Sequence, residues 1–194
     1  IRDSGVGLVS STDGKKSRKV VEYGIEALKA VWHRGAIDAD GKTGDGAGIH
    51  VEIPKDFFIE KIEVTGHDYD NSEICVGMIF LPRNDYSSQE SCKTIVESEL
   101  TKNNFSIYGW RQVPVNPKIL GNKALQTMPE IIQVLFKSND PNLIDKNLER
   151  KIYETRKKIE KKAFELSLNN FYICSISSKS IIYKGLYLAE AISD

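Results

Sequence analysis

The chain has 194 residues, of which 40% are apolar, and its 27 basic side chains are balanced by 27 acidic ones. This neutral composition argues against a nucleic-acid-binding surface, and no apolar run is long enough to cross a membrane. We therefore expect one large globular domain with a substantial core.

The first part of the chain is predicted to place two strands and two helices around a glycine-rich loop. A strand is predicted over residues 4–11, followed by a helix over 17–32 that Ser17 caps at its N-terminus. The glycine-rich loop leads into a strand over 47–53, after which Pro54 is placed to open a short helix. Apolar residues recur every three or four positions in the first helix, which predicts one buried face.

The second part of the chain is predicted to be richer in strands. Its elements are a strand over 74–81, a helix over 87–102, a strand over 105–115, an irregular segment over 119–128, a strand over 130–136, a helix over 139–166, and strands over 171–176 and 181–183. The last two strands are expected to pair as a hairpin around Ser177-Ser178-Lys179. Together the elements indicate an α+β fold in which helices cover packed sheets, with one sheet or two left open.

The segment from His33 to Ile49 is the most unusual part of the chain, since five glycines and three aspartates fall within seventeen residues. This density of glycine excludes a helix interior, where glycine loses too much backbone entropy. The segment matches neither of the common glycine-rich phosphate-binding patterns, and it leads into a strand rather than a helix. We interpret it as a shaped binding loop, with an ordinary turn as the alternative.

The cysteines and histidines show no pattern typical of metal ligands. The three cysteines are far apart, and the three histidines are isolated. Cys75 and Cys174 lie within apolar strand patterns, which predicts buried thiols in a reducing compartment. The sequence therefore predicts no metal site.

Five motifs, in order along the chain, carry a resemblance to a known family. They are S-G-V-G from Ser4, H-R-G-A from His33, T-G-D-G-A-G-I from Thr43, G-W-R-Q-V-P from Gly109, and F-Y-I-C-S-I-S-S from Phe171 followed by I-Y-K-G. Together they resemble the amino-terminal glutaminase domain of the glutamate synthase large subunit, a class II glutamine amidotransferase. The resemblance implies an α+β, four-layer αββα sandwich of the N-terminal-nucleophile hydrolase type. It also implies that residues 1–3 are a residual leader and that 4–194 form the domain.

In this family a terminal cysteine attacks the side-chain amide of glutamine, and its own α-amino group acts as the base. The resemblance implies that the released ammonia combines with 2-oxoglutarate in a synthase domain of the same polypeptide. It also implies that the full-length enzyme is an oxidoreductase. It implies no cofactor within this domain, but FMN and an iron–sulfur cluster in the full-length enzyme. An NADPH-dependent small subunit or ferredoxin would donate electrons. The location implied is the cytoplasm, or a plastid in a photosynthetic eukaryote.

The resemblance also assigns six residues to the site, with Ser4 at the nucleophile position. Arg34 and Gly35 match the residues beside the nucleophile, although Arg34 is equally suited to cap the preceding helix. The residues expected to shape the site from behind are Thr43, Asp45 and Gly46. For Asp45, a simple turn-forming role is an equal alternative.

The sequence departs from the family pattern in three ways. Serine stands at position 4 where the family has cysteine, and a hydroxyl is far less acidic than a thiol. Ile1-Arg2-Asp3 precede Ser4, so its nitrogen is an amide rather than a basic amine. The Asn-Gly dipeptide that forms the family's oxyanion hole occurs nowhere in the 194 residues. We therefore expect a domain that is truncated at its C-terminus, inactive as it stands, and uncleaved between Asp3 and Ser4.

Two other interpretations stay open at this point. Ser4 is also the nucleophile expected of a serine-dependent amidase from the same superfamily, acting on a different amide. The remaining interpretation is a non-catalytic fragment that serves as an interaction domain. A downstream sequence that continues into an Asn-Gly motif and a synthase domain would exclude the last one.

Overall fold

The computed structural model describes residues 5–31 and 37–193. The chain divides into two compact units, both discontinuous in sequence. The first unit comprises Ile1–Val51, Pro114–Met128 and Ile182–Asp194, and the second comprises Glu52–Val113 and Pro129–Ile181. Helices and two antiparallel sheets give the fold its α+β class, as predicted, and agree with an N-terminal-nucleophile hydrolase fold.

Five α-helices and six strands are present among the described residues. The helices are α1 (Arg18–Ala30), α2 (Lys55–Val64), α3 (Tyr86–Lys102), α4 (Asn122–Gln126) and α5 (Asp145–Glu165). The strands are β1 (Ala47–Glu52), β2 (Cys75–Leu81), β3 (Phe105–Gln112), β4 (Glu130–Ser138), β5 (Tyr172–Ser177) and β6 (Ser180–Gly185). Short 3₁₀ helices lie at Pro117–Ile119 and Ala189–Ser193. Among the described residues, no helix is both long and apolar enough to cross a membrane.

The second unit is built on an antiparallel sheet with the strand order β3-β4-β2-β5. β2 lies inside this sheet and is almost entirely buried, as its unbroken apolar sequence predicts. Helices α3 and α5 pack against the sheet, and Val96, Leu148 and Ile152 are among the side chains they add to the core. The apolar stripe of each helix therefore determines which side of it meets the sheet.

Helix α5 ends where predicted but begins later, and one residue expected on its buried face is exposed. Asp140 accepts a hydrogen bond from Asn142 N at 2.9 Å, and the resulting turn delays the start of the helix to Asp145. Phe164 was expected on the buried face but is 84% exposed. The buried stripe passes through Ala163, and the next residue of a helix points about 100° away.

The first unit contains α1, α4 and most of the two-stranded sheet formed by β1 and β6. Ser17 caps α1 as predicted, because its side chain accepts a hydrogen bond from Lys19 N at 3.2 Å. Gly48 permits a close approach of the two strands, since a Cβ there would lie 2.8 Å from the carbonyl oxygen of Tyr183. Glycine is the residue that such an approach requires.

Three predictions about strands and loops are wrong. β5 and β6 do not form a hairpin, because β6 pairs with β1 and β5 pairs with β2. Residues 5–11 form no strand, and Val6 and Leu8 are 98% and 92% exposed. An alternation of apolar and polar residues favours a strand, but a strand also needs a neighbouring strand to pair with its backbone N–H and C=O groups. The local sequence does not supply that partner. Residues 119–128 are not irregular throughout, since they contain α4.

Candidate functional site

Three of the six predicted site residues, Ser4, Arg34 and Gly35, lie outside the described residues. The other three lie in the segment over residues 37–46, which leads into β1 and which we call the 37–46 loop. The geometry of the candidate site is therefore that of this loop. The roles of Ser4, Arg34 and Gly35 remain predictions.

The 37–46 loop is closed by pairing of its own backbone. Ile37 forms an antiparallel bridge with Gly44, and Asp38 N donates to the Thr43 carbonyl oxygen at 2.8 Å. At the tip, Gly41 N donates to the Asp38 carbonyl oxygen at 3.0 Å, and Gly41 has a φ of 69°. Because this left-handed conformation is costly for most other residues, the turn favours glycine.

Thr43 is buried in this loop, and Asp40 holds it from two directions. Thr43 Oγ1 donates to Asp40 Oδ2 at 2.6 Å, and Thr43 N donates to Asp40 Oδ1 at 2.7 Å. Lys42 N adds a further hydrogen bond to Oδ1 at 3.0 Å. The hydrogen bonds from Thr43 hold the pKa of Asp40 well below its usual range. A carboxylate that stays ionised and is already hydrogen-bonded in this way is a poor general base.

The segment that contains α4 packs against the loop, and the residues that it bonds there lie more than eighty positions earlier in the chain. Lys123 Nζ donates to Asp38 Oδ2 at 2.6 Å, and this hydrogen bond lowers the pKa of Asp38. Ala124 N donates to Thr43 Oγ1 at 3.4 Å. Gly121 is buried, and a Cβ on it would lie 2.2 Å from Asp40 Oδ2. The loop and the α4 segment therefore fit together only with glycine at position 121.

The glycines that follow Thr43 bring the loop close to the chain after β6. A Cβ on Gly44 would lie 2.7 Å from the Tyr187 carbonyl oxygen. Gly46 has a φ of 120°, and a Cβ on it would lie 3.4 Å from the Gly185 carbonyl oxygen. Asp45, between these glycines, is exposed. Close packing thus explains the two glycines, while Asp45 lies at the surface of the unit.

A shallow pocket of about 200 Å³ adjoins the loop. Its described lining residues are Lys42, Ile119, Leu188, Glu190 and Ala191. None of the predicted site residues is among them. The described lining contains one cationic and one anionic side chain but no hydroxyl or thiol nucleophile.

Asp40, Gly121 and Lys123 are the residues of the site that sequence reasoning missed. Asp40 is one of three aspartates in the Gly/Asp-rich segment, and nothing in the sequence distinguishes it from the other two. Gly121 and Lys123 lie in a segment that was predicted to be irregular. The available signal was the isolated Gly121, since such a glycine often marks a close approach of two backbones.

The described residues offer no metal site. Within residues 5–31 and 37–193, no group of three or more His, Cys, Asp or Glu side chains is arranged to hold a metal ion. All three cysteines are free and buried, as predicted for Cys75 and Cys174. Burial raises the pKa of the Cys92 thiol to about 11 and also raises that of Cys75. At neutral pH these two thiols are therefore protonated and poorly reactive.

Trp110 and Arg111 of the G-W-R-Q-V-P motif have packing roles. Trp110 Nε1 donates to Glu97 Oε1 at 2.6 Å, and its ring packs against the core of the second unit. Arg111 Nη1 donates to Gln133 Oε1 at 2.8 Å, and its guanidinium lies 5.1 Å from the centre of the Phe57 ring. These contacts account for both side chains without a catalytic role.

Comparison with known proteins identifies the family. The model of the class II glutamine amidotransferases matches residues 4–194. The chain is 52% identical to the glutamate synthase [NADPH] large chain of Azospirillum brasilense over 189 residues, which cover 97% of this chain and 12% of that protein. It is 40% identical to ferredoxin-dependent glutamate synthase 1 of Arabidopsis thaliana over 190 residues, with the same coverage. It is 38% identical to the ferredoxin-dependent glutamate synthase of Antithamnion sp. over 193 residues, covering 96% of this chain and 12% of that protein. The chain therefore belongs to the class II glutamine amidotransferases.

Proposed function

We propose that this chain is the glutamine-hydrolysing domain of a glutamate synthase, and that it releases ammonia for transfer to 2-oxoglutarate in glutamate biosynthesis. The observation that carries the proposal is the 52% identity to a glutamate synthase large chain across 97% of the present chain. The chain spans only 12% of that relative, and we propose that the synthase reaction belongs to other parts of such an enzyme.

Residue 4 is the proposed site of attack on glutamine. The nucleophilic oxygen or sulfur forms a bond to the side-chain carbonyl carbon of glutamine, and the amide nitrogen leaves as ammonia with the proton of the nucleophile. Water then cleaves the acyl-enzyme to release glutamate. We propose that Arg34 and Gly35 orient the nucleophile. We propose that Thr43, Asp45 and Gly46 form one wall of the glutamine-binding site and shape it from behind.

With serine at position 4 and residues 1–3 attached to it, we expect the chain to be inactive as it stands. The hydroxyl is a weaker acid than a thiol, so it depends more on a base. The α-amino group of Ser4 becomes available as that base only if the bond from Asp3 is cut, since the nitrogen is an amide until then. Ser4→Cys is thus the substitution that restores the family's nucleophile.

The described residues of this chain do not fit an iron–sulfur cluster. An iron–sulfur cluster requires several cysteine thiolates, whereas the three thiols here are buried and are not part of a metal-binding group among the described residues. We therefore propose that FMN and the iron–sulfur cluster belong to other domains of the full-length enzyme.

The relatives suggest the electron donor and the location of the full-length enzyme. Over the matched residues, the relative named for NADPH is 52% identical to this chain, whereas relatives named for ferredoxin are between 35% and 40% identical to it. This difference favours an NADPH-dependent small subunit over ferredoxin. Free thiols agree with a reducing compartment, and we propose the cytoplasm. A plastid is the alternative, since plant relatives are named chloroplastic.

A serine-dependent amidase is the second candidate, and Ser4 itself favours it. Such an enzyme uses the hydroxyl with the free amine of the same residue, and its substrate would be an amide other than glutamine. N-terminal sequencing that finds Ile1 still attached would remove this candidate.

Glutaminase assays on the full-length protein test the proposal. Glutamate release is measured for the parent protein, for Ser4→Cys and for Ser10→Cys, each with residues 1–3 removed so that residue 4 is the N-terminus. The last variant is a matched control, because Ser10 is exposed and lies in the same segment. We expect glutamine hydrolysis from Ser4→Cys alone. Activity of Ser4→Cys no higher than that of the control would contradict the proposal, and hydrolysis of other amides by the parent protein would favour the amidase.

A further inference from the structure

The Asp40 carboxylate accepts hydrogen bonds both from within the 37–46 loop and from α4. Besides its two bonds from Thr43 and one from Lys42 N, it accepts a hydrogen bond from Lys123 N at 3.4 Å. One carboxylate thus joins the loop to α4, and its two oxygens are already occupied by protein groups.

Gly121 fits closely against the same pair of side chains. A Cβ on Gly121 would lie 2.2 Å from Asp40 Oδ2 and 2.4 Å from Thr43 Oγ1. Atoms separated by these distances overlap, so the backbone before α4 lies directly on the Asp40–Thr43 pair. We call Asp40, Thr43, Gly121 and Lys123 the Asp40 clamp.

Thr43 connects this clamp to the rest of the candidate site. Its hydroxyl donates to Asp40 and accepts from Ala124 N, while its carbonyl oxygen accepts from Asp38 N at 2.8 Å. The next residue, Gly44, lies against the backbone of Tyr187. The backbone from Thr43 onward is therefore fixed on two sides.

We propose that Asp40 is a positioning residue for glutamine hydrolysis, acting through Thr43 on the backbone of residues 43–46. This inference rests on the proposed function, which places that stretch in the wall of the glutamine site. Asp40 does not act on the substrate itself. It holds the backbone of residues 43–46 in place, and a displacement of about 1 Å in the lining of a catalytic site can lower a rate about 10²-fold.

The variants that test the clamp are made in full-length Ser4→Cys protein. Asp40→Asn places an amide where the Thr43 hydroxyl and Lys123 N both donate, and Thr43→Val removes the hydroxyl. We expect each to lower kcat about tenfold or more while the KM for glutamine changes less, because the wall supports the transition state. Thr43→Ser keeps the hydroxyl and should recover most of the loss.

Gly24→Ala is the control for a substitution in the same unit. Gly24 lies inside α1, and a Cβ on it would make an ordinary contact, 3.8 Å from Ile49 Cδ1. We expect its kcat to equal that of the parent. Hydrogen exchange supplies a second measurement, and in Asp40→Asn it should become faster at residues 42–46 while other regions keep their protection.

Three results would overturn the inference. Unchanged kcat in both Asp40→Asn and Thr43→Val would do so while leaving the proposed function intact. Loss of hydrogen-exchange protection throughout the domain in these variants would show general unfolding rather than positioning. A Ser4→Cys parent without glutaminase activity would overturn the proposed function and, with it, this inference.

Discussion

The carboxylate of Glu149 accepts both hydrogen bonds that Ser178 can donate, from its backbone N at 2.7 Å and from its Oγ at 2.8 Å. Its other oxygen accepts from Ser177 Oγ at 2.9 Å. Ser177 ends β5, Ser178 follows it in the link to β6, and both are buried. Helix α5 thus supplies polar partners for a buried turn, and the two strands can join different sheets without leaving that turn unsatisfied.

Glu149→Ala is expected to destabilise the second unit strongly. It removes three hydrogen bonds and leaves buried donors without their acceptor, and each such loss costs about 1–3 kcal/mol. We expect the free energy of unfolding to fall by roughly 2–4 kcal/mol in total. Urea unfolding measures this loss as a lower midpoint. Glu154→Ala is the matched control, because Glu154 forms an exposed ion pair with Arg150 on the same helix. We expect it to change the free energy of unfolding by about 0.5 kcal/mol or less. Equal effects of the two substitutions would contradict this account.

Acid should weaken the contact between α3 and α5. Glu99 is buried and pairs with Lys162 and Lys102, and the hydrogen bond from Lys162 lowers the pKa of Glu99. A carboxyl group whose pKa is lower in the folded than in the unfolded protein stabilises the fold at pH values above its unfolded-state pKa, which is about 4.3 for glutamate. This stabilisation is lost as the pH falls through the folded-state pKa.

Glu99→Gln should therefore be less stable than the parent at neutral pH, and the difference should shrink below about pH 4. Urea unfolding between neutral and acidic pH measures both proteins. Glu165→Gln serves as the control, since Glu165 makes a largely exposed pair with Lys161. A difference between Glu99→Gln and the parent that stays constant with pH would show that the ion pair does not cause it.

Gly48→Ala should force β1 and β6 apart. Its new Cβ would lie 2.8 Å from both the Lys184 Cβ and the Tyr183 carbonyl oxygen, and overpacking of this kind costs about 1–3 kcal/mol. Gly24→Ala, inside α1, should instead stabilise the chain by about 0.5–1 kcal/mol. Thermal unfolding of the two variants measures the contrast. A Gly48→Ala protein as stable as the parent would mean that the strands do not approach so closely.

The three cysteines should resist alkylation in the folded protein. All are buried, and burial raises the pKa of the Cys75 and Cys92 thiols, so little thiolate is present near neutral pH. We expect iodoacetamide to modify none of the three at about pH 7 and all of them in denaturing urea. Mass spectrometry counts the added groups. Rapid alkylation of Cys174 in the folded state would show that its strand opens to solvent.

Local sequence patterns predicted most of the second unit. The apolar run of β2 and the amphipathic stripes of α3 and α5 depend on which residues are buried, and burial follows from hydrophobicity. The hairpin prediction for β5 and β6 was wrong because strand partners are chosen over long distances. Nothing near Ser177 indicates that Glu149 supplies the acceptor or that β1 is the neighbour of β6.

The candidate site was predicted only in part, for the same reason. The motif from Thr43 to Ile49 indicates a shaped loop, and its glycines do make close approaches. The Asp40 clamp depends on Gly121 and Lys123, which lie more than eighty residues after Asp40 in the chain. A contact of that range leaves no periodic pattern in the sequence.

The central claim, that residue 4 is the nucleophile position of a glutamine site, is tested most directly by covalent labelling. Full-length Ser4→Cys and Ser10→Cys proteins are treated with a diazoketone analogue of glutamine, and the modified peptides are identified by mass spectrometry. We predict a label at position 4 that glutamine prevents, and no such protected label at position 10. Equal labelling at both positions, unaffected by glutamine, would contradict the account.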